Sequence, residues 1–228
     1  MSTHIKVIAY LLIVLAFADC VSSNGIQGKY KPYEYGRAPK IYQSVLEEYE
    51  KYHKFIGCKS GEIVASIGSG NGIKEVQIAC VIDDITWYLE EIDSARLYEF
   101  EKVLRYHEEL KGSRINGEFN LVLGTESSTT LPKGIFDRVI MLNVFHEITS
   151  REPIMLEVQE LLKPDGVLVI MERMGDKPGQ FHGDCKHPKL YEPEFLNEMG
   201  GYGFTSINQQ IGEKMSALIF YTFKSITK

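Results

Sequence analysis

The sequence predicts an α/β fold: a doubly wound, mostly parallel sheet of seven strands, with helices on both faces and an antiparallel pair of strands at its C-terminal edge. From residue 62 to residue 172, short apolar runs alternate with helix-like runs, and several apolar runs are apolar on both faces. Strands of this kind form parallel sheets that helices cover on both sides. After residue 203, two strand-like runs follow each other with only a short break, which indicates an antiparallel pair.

The individual elements follow from the apolar pattern. Over 41–56, apolar residues recur every three or four positions and Gly57 follows, which predicts an amphipathic helix. Further helices are expected over 72–80, 94–110 and 152–162, and a KPDG turn follows the last of them. The strand-like runs are EIVASI, ITWYLEEI, FNLVLG, FDRVIMLN, VLVIME, FTSINQQIG and MSALIFYTFK.

Length and charge limit the classes of function. A chain of 228 residues with 44% hydrophobic content is long enough for one large domain with its own core. The formal net charge is −6 and no run of Lys and Arg occurs, so nothing in the sequence would attract a phosphate backbone. We therefore expect no nucleic-acid partner.

The N-terminal residues predict export. Residues 1–18 are typical of a signal peptide, because a basic residue precedes an apolar run that is too short to span a membrane and ends in a small-x-small motif. Residues 19–40 are expected to form an extended arm and 41–228 the α/β domain. Cleavage would give a periplasmic or secreted protein without a stable membrane span. Two alternatives stay open: lipidation at Cys20, against which Asp19 argues, and a misassigned start, which would leave the protein in the cytoplasm.

A glycine-rich loop is the first candidate for a binding site. The stretch IVASIGSGNG places Gly68, Gly70 and Gly72 directly after a strand-like run. Such a turn directs backbone N–H groups at a ligand, at the carboxyl edge where open α/β sheets bind nucleotides. The dinucleotide fingerprint G-x-G-x-x-G is excluded because Ile73 stands at its last small position, and no Walker A lysine follows. By itself, the loop also fits a tight turn without any ligand.

Three further motifs follow the G-x-G-x-G loop: FDRVIMLNVFHEI (136–148), LLKPDGVLVIMER (161–173) and GGYGF (200–204). In this order they resemble the fourth-strand motif, the fifth-strand motif and the turn before the sixth strand of the class I S-adenosyl-L-methionine-dependent methyltransferases. The resemblance implies the fold of that family, S-adenosyl-L-methionine as cofactor, and methyl transfer to a small-molecule acceptor.

The resemblance also implies a set of cofactor-binding residues. The family has an acidic residue two places before the first glycine, where this chain has Ser66, and an adenine-binding acid after the third strand, where it has Thr125 and Glu126. The acid that binds the ribose hydroxyls would be Glu91 or Asp93. The cofactor-binding residues expected in this way are Ser66, Gly68, Gly70, Gly72, Glu91, Asp93, Thr125, Glu126 and Asn143.

His146 is the candidate catalytic residue. It follows the fourth strand, and an imidazole can act as general base because it titrates near neutrality. The alternative is a histidine that caps the next helix or fills space. A later loop, FHGDCKHP, separates Cys185 from His187 by a single residue, which is not a usual zinc spacing. We therefore expect no metal.

Three hypotheses about function remain. The first is an S-adenosyl-L-methionine-dependent methyltransferase with a small-molecule acceptor. The second is an exported binding or scaffold protein on a degenerate methyltransferase fold, suggested by Ser66, by Thr125 and by the cytoplasmic origin of the cofactor. The third is an enzyme of another class that binds a different nucleotide in the same place. Binding of the cofactor distinguishes the first hypothesis from the other two.

Overall fold

The structure, a computed structural model, describes residues 40–183, 185–211 and 218–226. The helices are α1 (Lys40–Ile56), α2 (Ile73–Ala79), α3 (Ser94–Tyr98), α4 (Phe100–Lys111), α5 (Arg151–Leu161) and α6 (Glu192–Gly201), and a 3₁₀ turn spans Phe145–Glu147. The strands are β1 (Ile63–Ile67), β2 (Ile85–Glu91), β3 (Gly117–Leu123), β4 (Phe136–Leu142), β5 (Leu162–Arg173), β6 (Phe204–Ile211) and β7 (Leu218–Ser225). The residues of the predicted signal peptide and nearly all of those of the predicted arm lie outside the described part of the chain, so both features stay predictions.

The seven strands form one sheet in the order β3-β2-β1-β4-β5-β7-β6. Strands β1 to β5 pair in parallel, whereas β7 runs antiparallel to both β5 and β6. The predicted doubly wound sheet with its antiparallel C-terminal edge is thereby confirmed. The strand order reverses between β1 and β4, and ligands of open α/β sheets bind beside such a reversal, at the carboxyl ends of the strands.

Helices cover the sheet on both faces. On one face, Val139 and Ile170 belong to a buried cluster with residues of α5 and α6. The neighbouring residues Ile140 and Val169 point the other way and belong to a second cluster with residues of α1, α2 and α4. All four side chains are fully buried, and each such burial contributes roughly 1.5–3 kcal/mol to stability. The two clusters therefore bury both faces of the sheet.

Two local expectations were wrong in detail. The helix predicted over 94–110 is broken at Glu99 into α3 and α4. No residue of α3 is buried, whereas α4 buries Phe100 against the sheet, so the break lets the second piece pack. The predicted KPDG turn lies inside an irregular first part of β5, in which Phe136 pairs with Leu162 and the register then shifts.

The described helices were also compared with the requirements of a membrane span. Among them, none is both long enough and apolar enough to cross a bilayer.

Candidate functional site

The glycine loop joins β1 to α2 through three residues with positive φ. Gly68, Gly70 and Gly72 have φ of 64°, 60° and 74°, a region that residues with side chains rarely adopt. A Cβ atom at Gly68 would overlap the side chain of Val144, and one at Gly72 would lie 2.7 Å from Phe100. At Gly70 the nearest atom is 3.7 Å away, so this position alone opens onto free space.

That space is a cavity of about 460 Å³, called the first cavity here. It lies at the carboxyl edge of the sheet, between the glycine loop, the end of β2 and the segments after β3 and β4. Six of the cofactor-binding residues expected from the sequence line it: Gly68, Gly70, Glu91, Thr125, Glu126 and Asn143. The structure thus brings together residues from four separate segments of the chain.

Two consecutive glutamates at the end of β2 bind the glycine loop. Glu91 Oε2 accepts a hydrogen bond from Gly70 N at 2.8 Å, and its Oε1 accepts from the N–H groups of Ile92 and Asp93 at 2.9 and 3.0 Å. Glu90 Oε2 accepts from Gly68 N at 3.1 Å. Because the N–H groups of Gly68 and Gly70 are already occupied, these two glycines offer a ligand close approach rather than the free donors that the sequence suggested.

Glu90 is a site residue that sequence reasoning missed. It is only 3% exposed and lines the first cavity. Burial raises the pKa of Glu90 to about 7, although the hydrogen bond from Gly68 acts in the opposite direction. The carboxyl group therefore changes its charge near neutral pH.

The raised pKa of Glu90 predicts a pH-dependent stability. Its ordinary pKa is near 4.5, so between pH 4.5 and 7 the unfolded chain loses this proton while the folded chain keeps it, and the free energy of unfolding falls as pH rises. Between pH 4.5 and a pH above 7, the free energy of unfolding of the wild type should fall by on the order of 3 kcal/mol more than that of Glu90→Gln, which lacks this titration. Urea unfolding of both proteins from pH 4.5 to 8 measures it, and parallel profiles would contradict it.

Three of the expected cofactor residues do not line the first cavity. Ser66 is buried and donates to Glu75 Oε1 at 2.6 Å. Burial raises the pKa of Glu75, which lies on α2. A carboxyl group is thus present beneath the loop, supplied by α2 rather than by β1. Gly72 packs against Phe100, and Asp93 caps α3 by accepting from Ala95 N at 2.9 Å.

The remaining polar residues that line the first cavity differ in their hydrogen bonds, their exposure and their backbone conformation. The Thr125 hydroxyl is engaged in its own turn, where it accepts from Ser128 N at 3.0 Å. Glu126 is exposed and adjoins it in the lining of the cavity. Asn143 has φ of 62° and donates its N–H to Met171 O at 2.7 Å. Positive φ at a residue with a side chain concentrates at functional sites, which fits the position of Asn143 at the cavity wall.

A second cavity of about 330 Å³ adjoins the first and shares Asn143 and Glu147 with it. Lys74 and Arg173 line it, so it is more basic than the first cavity. Lys74 Nζ donates to Leu142 O at 3.3 Å, and burial lowers the pKa of this lysine. Sequence reasoning missed Lys74 because its position on α2 carries no motif.

His146 lies in the second cavity rather than the first. Its ring is buried, and Nδ1 lies 2.9 Å from Oε2 of Glu172, which is fully buried. Burial lowers the pKa of His146, but the hydrogen bond and charge of Glu172 outweigh this, and the pKa is raised. His182 stacks on the same ring with centroids 4.1 Å apart, and its pKa is lowered by burial and by His146.

Comparisons with known proteins agree with this architecture. A family model described as a methyltransferase domain matches residues 66–170. A structure of an S-adenosylmethionine-dependent methyltransferase from Aquifex aeolicus superimposes with a TM-score of 0.63 at 16% identity, covering 86% of this chain and 98% of that one. The glycopeptide N-methyltransferase MtfA complexed with S-adenosyl-L-methionine gives 0.60 at 18% identity, covering 79% and 93%.

The mitomycin 7-O-methyltransferase MmcR gives a TM-score of 0.60 at 15% identity, covering 80% of this chain and 54% of that one. This chain therefore spans about half the length of MmcR. At such identities the likeness to solved structures shows the fold alone. No curated protein matches the chain in sequence.

Proposed function

We propose that this chain, which carries a class I, Rossmann-like methyltransferase domain, transfers the methyl group of S-adenosyl-L-methionine to a small-molecule acceptor. S-adenosyl-L-methionine is the cofactor of that domain. The observation that carries the proposal is the charge of the first cavity, because it distinguishes a cationic methyl donor from the other nucleotides that bind to folds of this class.

The first cavity fits a cationic nucleoside in size and charge. Its volume of about 460 Å³ is in the range of small-molecule pockets. Three carboxylates, Glu91, Glu126 and Glu147, face one guanidinium, that of Arg96. Glu90 adds a carboxyl group that is only partly ionised near neutral pH. A sulfonium and an ammonium group are attracted by this lining, whereas the phosphates of a dinucleotide or a nucleoside triphosphate are repelled by it. This favours the methyl donor over the other nucleotide classes.

Three residues are the ones we expect to hold the cofactor. Glu91 would accept from the ribose hydroxyls, since its carboxylate is fixed by backbone N–H groups at the cavity wall. Glu126 is the polar side chain beside the adenine position that the resemblance implies. Asn143 lies where the first cavity meets the second, which is the place for the reacting end of the cofactor.

Orientation is the main contribution that this chain can make to catalysis. When bound, the cofactor supplies an electrophilic methyl group on a sulfonium. Holding an acceptor in line with that group can contribute about 7–11 kcal/mol to lowering the barrier. The second cavity is the place for the acceptor because it meets the first at Asn143 and Glu147. Lys74 and Arg173 in its wall favour an acceptor with an acidic hydroxyl, thiol or carboxylate.

His146 has one ring nitrogen available for the proton of such an acceptor. Its Nδ1 is bonded to Glu172, so only Nε2 can face the second cavity. A general base at this point would act on the acceptor and not on the cofactor, in agreement with the position of His146 outside the first cavity.

Calorimetric titration tests the proposal. We expect S-adenosyl-L-methionine and S-adenosylhomocysteine to bind with micromolar dissociation constants, and NAD and ATP not to bind, because their phosphates face the carboxylates of the first cavity. Failure of both sulfur nucleosides to bind at millimolar concentration would contradict the proposal. It would instead support a methyltransferase fold that has lost its cofactor.

A further inference from the structure

Three side chains of the kind that bind transition metals meet in the second cavity. His146 follows β4, whereas His182 and Cys185 belong to the loop after β5. One ligand atom from each residue, an imidazole nitrogen or the thiol sulfur, lies within 4.8 Å of the other two. The spacing of Cys185 and His187 within one loop predicted no metal site. The structure adds His146, a histidine from a different segment, which that spacing does not include.

The distance between two of these atoms matches the geometry of zinc. Cys185 Sγ lies 3.5 Å from His146 Nε2. Zinc binds sulfur at about 2.3 Å and imidazole nitrogen at about 2.0–2.1 Å in a tetrahedral arrangement, so two such ligands of one ion are separated by about 3.5 Å. Cys185 and His146 therefore already have the separation that two ligands of one zinc ion require. The ring of His182 stacks on His146 with the ring planes 22° apart, so it has to turn before its Nε2 points at the same ion.

His182 offers an independent observation that points to a ligand. The residue is 7% exposed, and its Nε2 has no hydrogen-bond partner among the described residues. A buried polar atom without a partner costs about 1–3 kcal/mol, and such atoms are rare in folded proteins. A metal ion between His182 and His146 would give this nitrogen a partner.

Glu172 supplies the support that metal-binding histidines usually have. Oε2 of Glu172 lies 2.9 Å from His146 Nδ1, and Oε1 of Glu172 accepts a hydrogen bond from the backbone N–H of His146 at 3.3 Å. A carboxylate in this position fixes the ring and increases the basicity of the opposite nitrogen, which is Nε2. Glu172 is fully buried, and a divalent ion would offset its charge together with that of a Cys185 thiolate.

We propose that His146 Nε2, His182 Nε2 and Cys185 Sγ bind one Zn²⁺ ion, and that the fourth coordination position opens onto the second cavity. Thiolate and imidazole ligands favour zinc over magnesium or calcium, which prefer oxygen. Three protein ligands with one open position are typical of catalytic zinc sites. Cys185 is solvent-exposed, which gives the ion a path into the site.

The role of the ion rests on the proposed function. A hydroxyl or thiol of the acceptor that occupies the open position would lose its proton more easily, as water does on zinc. Glu147 Oε1, 3.6 Å from His146 Nε2, lies close enough to receive that proton. The oxygen or sulfur then forms its bond to the methyl carbon as the carbon–sulfonium bond breaks. In the zinc-loaded chain Nε2 of His146 binds the ion and Glu147 takes the proton, so the role of general base proposed for His146 applies to the metal-free chain.

Metal titration of the full chain tests the site. The protein is treated with a chelator under reducing conditions, without a histidine tag, and is titrated with Zn²⁺ against a chromogenic indicator. We expect one high-affinity ion per chain, and an affinity at least about tenfold lower in His182→Ala and in Cys185→Ser. With Co²⁺, the wild type should show a thiolate-to-cobalt charge-transfer band that Cys185→Ser lacks.

Two further variants make the titration specific. Cys58 precedes β1 and so lies at the opposite edge of the sheet; Cys58→Ser should retain the full affinity for Zn²⁺ and the cobalt band. Glu172→Gln should keep one ion per chain with an affinity about 10–100-fold lower, as expected for a positioning residue. Unchanged Zn²⁺ affinity in both His182→Ala and Cys185→Ser, or no charge-transfer band in the wild type, would overturn the site.

The failure of the site and the failure of the proposed function can be distinguished. Calorimetry with S-adenosyl-L-methionine is run on the metal-free and the zinc-loaded chain. Cofactor binding without any Zn²⁺ binding overturns the metal site and leaves the methyltransferase proposal standing. Specific Zn²⁺ binding without cofactor binding supports the site and contradicts the proposed function.

Discussion

Gly70→Val is expected to lower the affinity for S-adenosyl-L-methionine by at least about a hundredfold, equivalent to about 2.7 kcal/mol, while the fold persists. Gly70 is the glycine of the loop whose Cβ would meet open cavity space, with its nearest neighbour, Arg96, at 3.7 Å. A valine there fills space that the ligand needs. It also has to adopt φ near 60°, which weakens the contact between the loop and Glu91. Calorimetry of both proteins measures the loss.

Gly134→Val is a matched control for the backbone strain. Gly134 has φ of 73° with nothing within 4 Å of an added Cβ, and it lines neither cavity. Both variants should lose about 1–2 kcal/mol of stability from the left-handed conformation, seen as a fall in Tm of a few degrees. Only Gly70→Val should lose the cofactor. Equal affinity in the two variants would remove the loop from the binding site.

The fold was predictable because its signals are local and repeated. Alternating apolar runs locate each strand, and the change to two consecutive strands after residue 203 identifies the antiparallel edge. The break at Glu99 was not predictable, since the helical pattern continues through it and the bend depends on how Phe100 packs against the sheet. Packing contacts between residues that are far apart in the sequence do not change the local apolar pattern from which a helix is predicted.

The site was predictable only in part, for a related reason. A sequence shows which residues reach the carboxyl edge of a sheet, but it does not show in which direction each side chain points. Ser66 was expected at the cofactor and instead points inward to Glu75. Glu90 was overlooked beside Glu91 because a buried carboxyl group has no sequence signature. The meeting of His146 with His182 depends on two loops that are far apart in sequence.

The structure also separates the two acids between which the sequence left the ribose-binding role open. Glu91 lines the first cavity and is held by three backbone N–H groups. Asp93 is more than half exposed and caps α3. The Glu91 carboxylate is therefore fixed at the wall of the first cavity, where a ligand can bind to it, whereas the Asp93 carboxylate caps α3.

Glu91→Ala should accordingly lower the affinity for S-adenosyl-L-methionine by at least about tenfold, because hydrogen bonds to a charged group contribute about 1.5–3 kcal/mol each. Asp93→Ala is the control: it should cost about 1 kcal/mol of stability through the lost helix cap and leave the affinity unchanged. Calorimetry and thermal unfolding of both variants measure the two effects.

The pattern of losses tests which of the two acids contributes to cofactor binding. If Asp93→Ala alone weakened the cofactor, the assignment to Glu91 would be wrong. A loss confined to Glu91→Ala has two sources, since the change removes a ligand contact and also frees the N–H of Gly70. Glu91→Gln removes the negative charge and keeps one acceptor oxygen, which can bind either Gly70 or Ile92 and Asp93 but not all three. An affinity between those of the wild type and Glu91→Ala would show that a neutral side chain with part of these hydrogen bonds still supports binding.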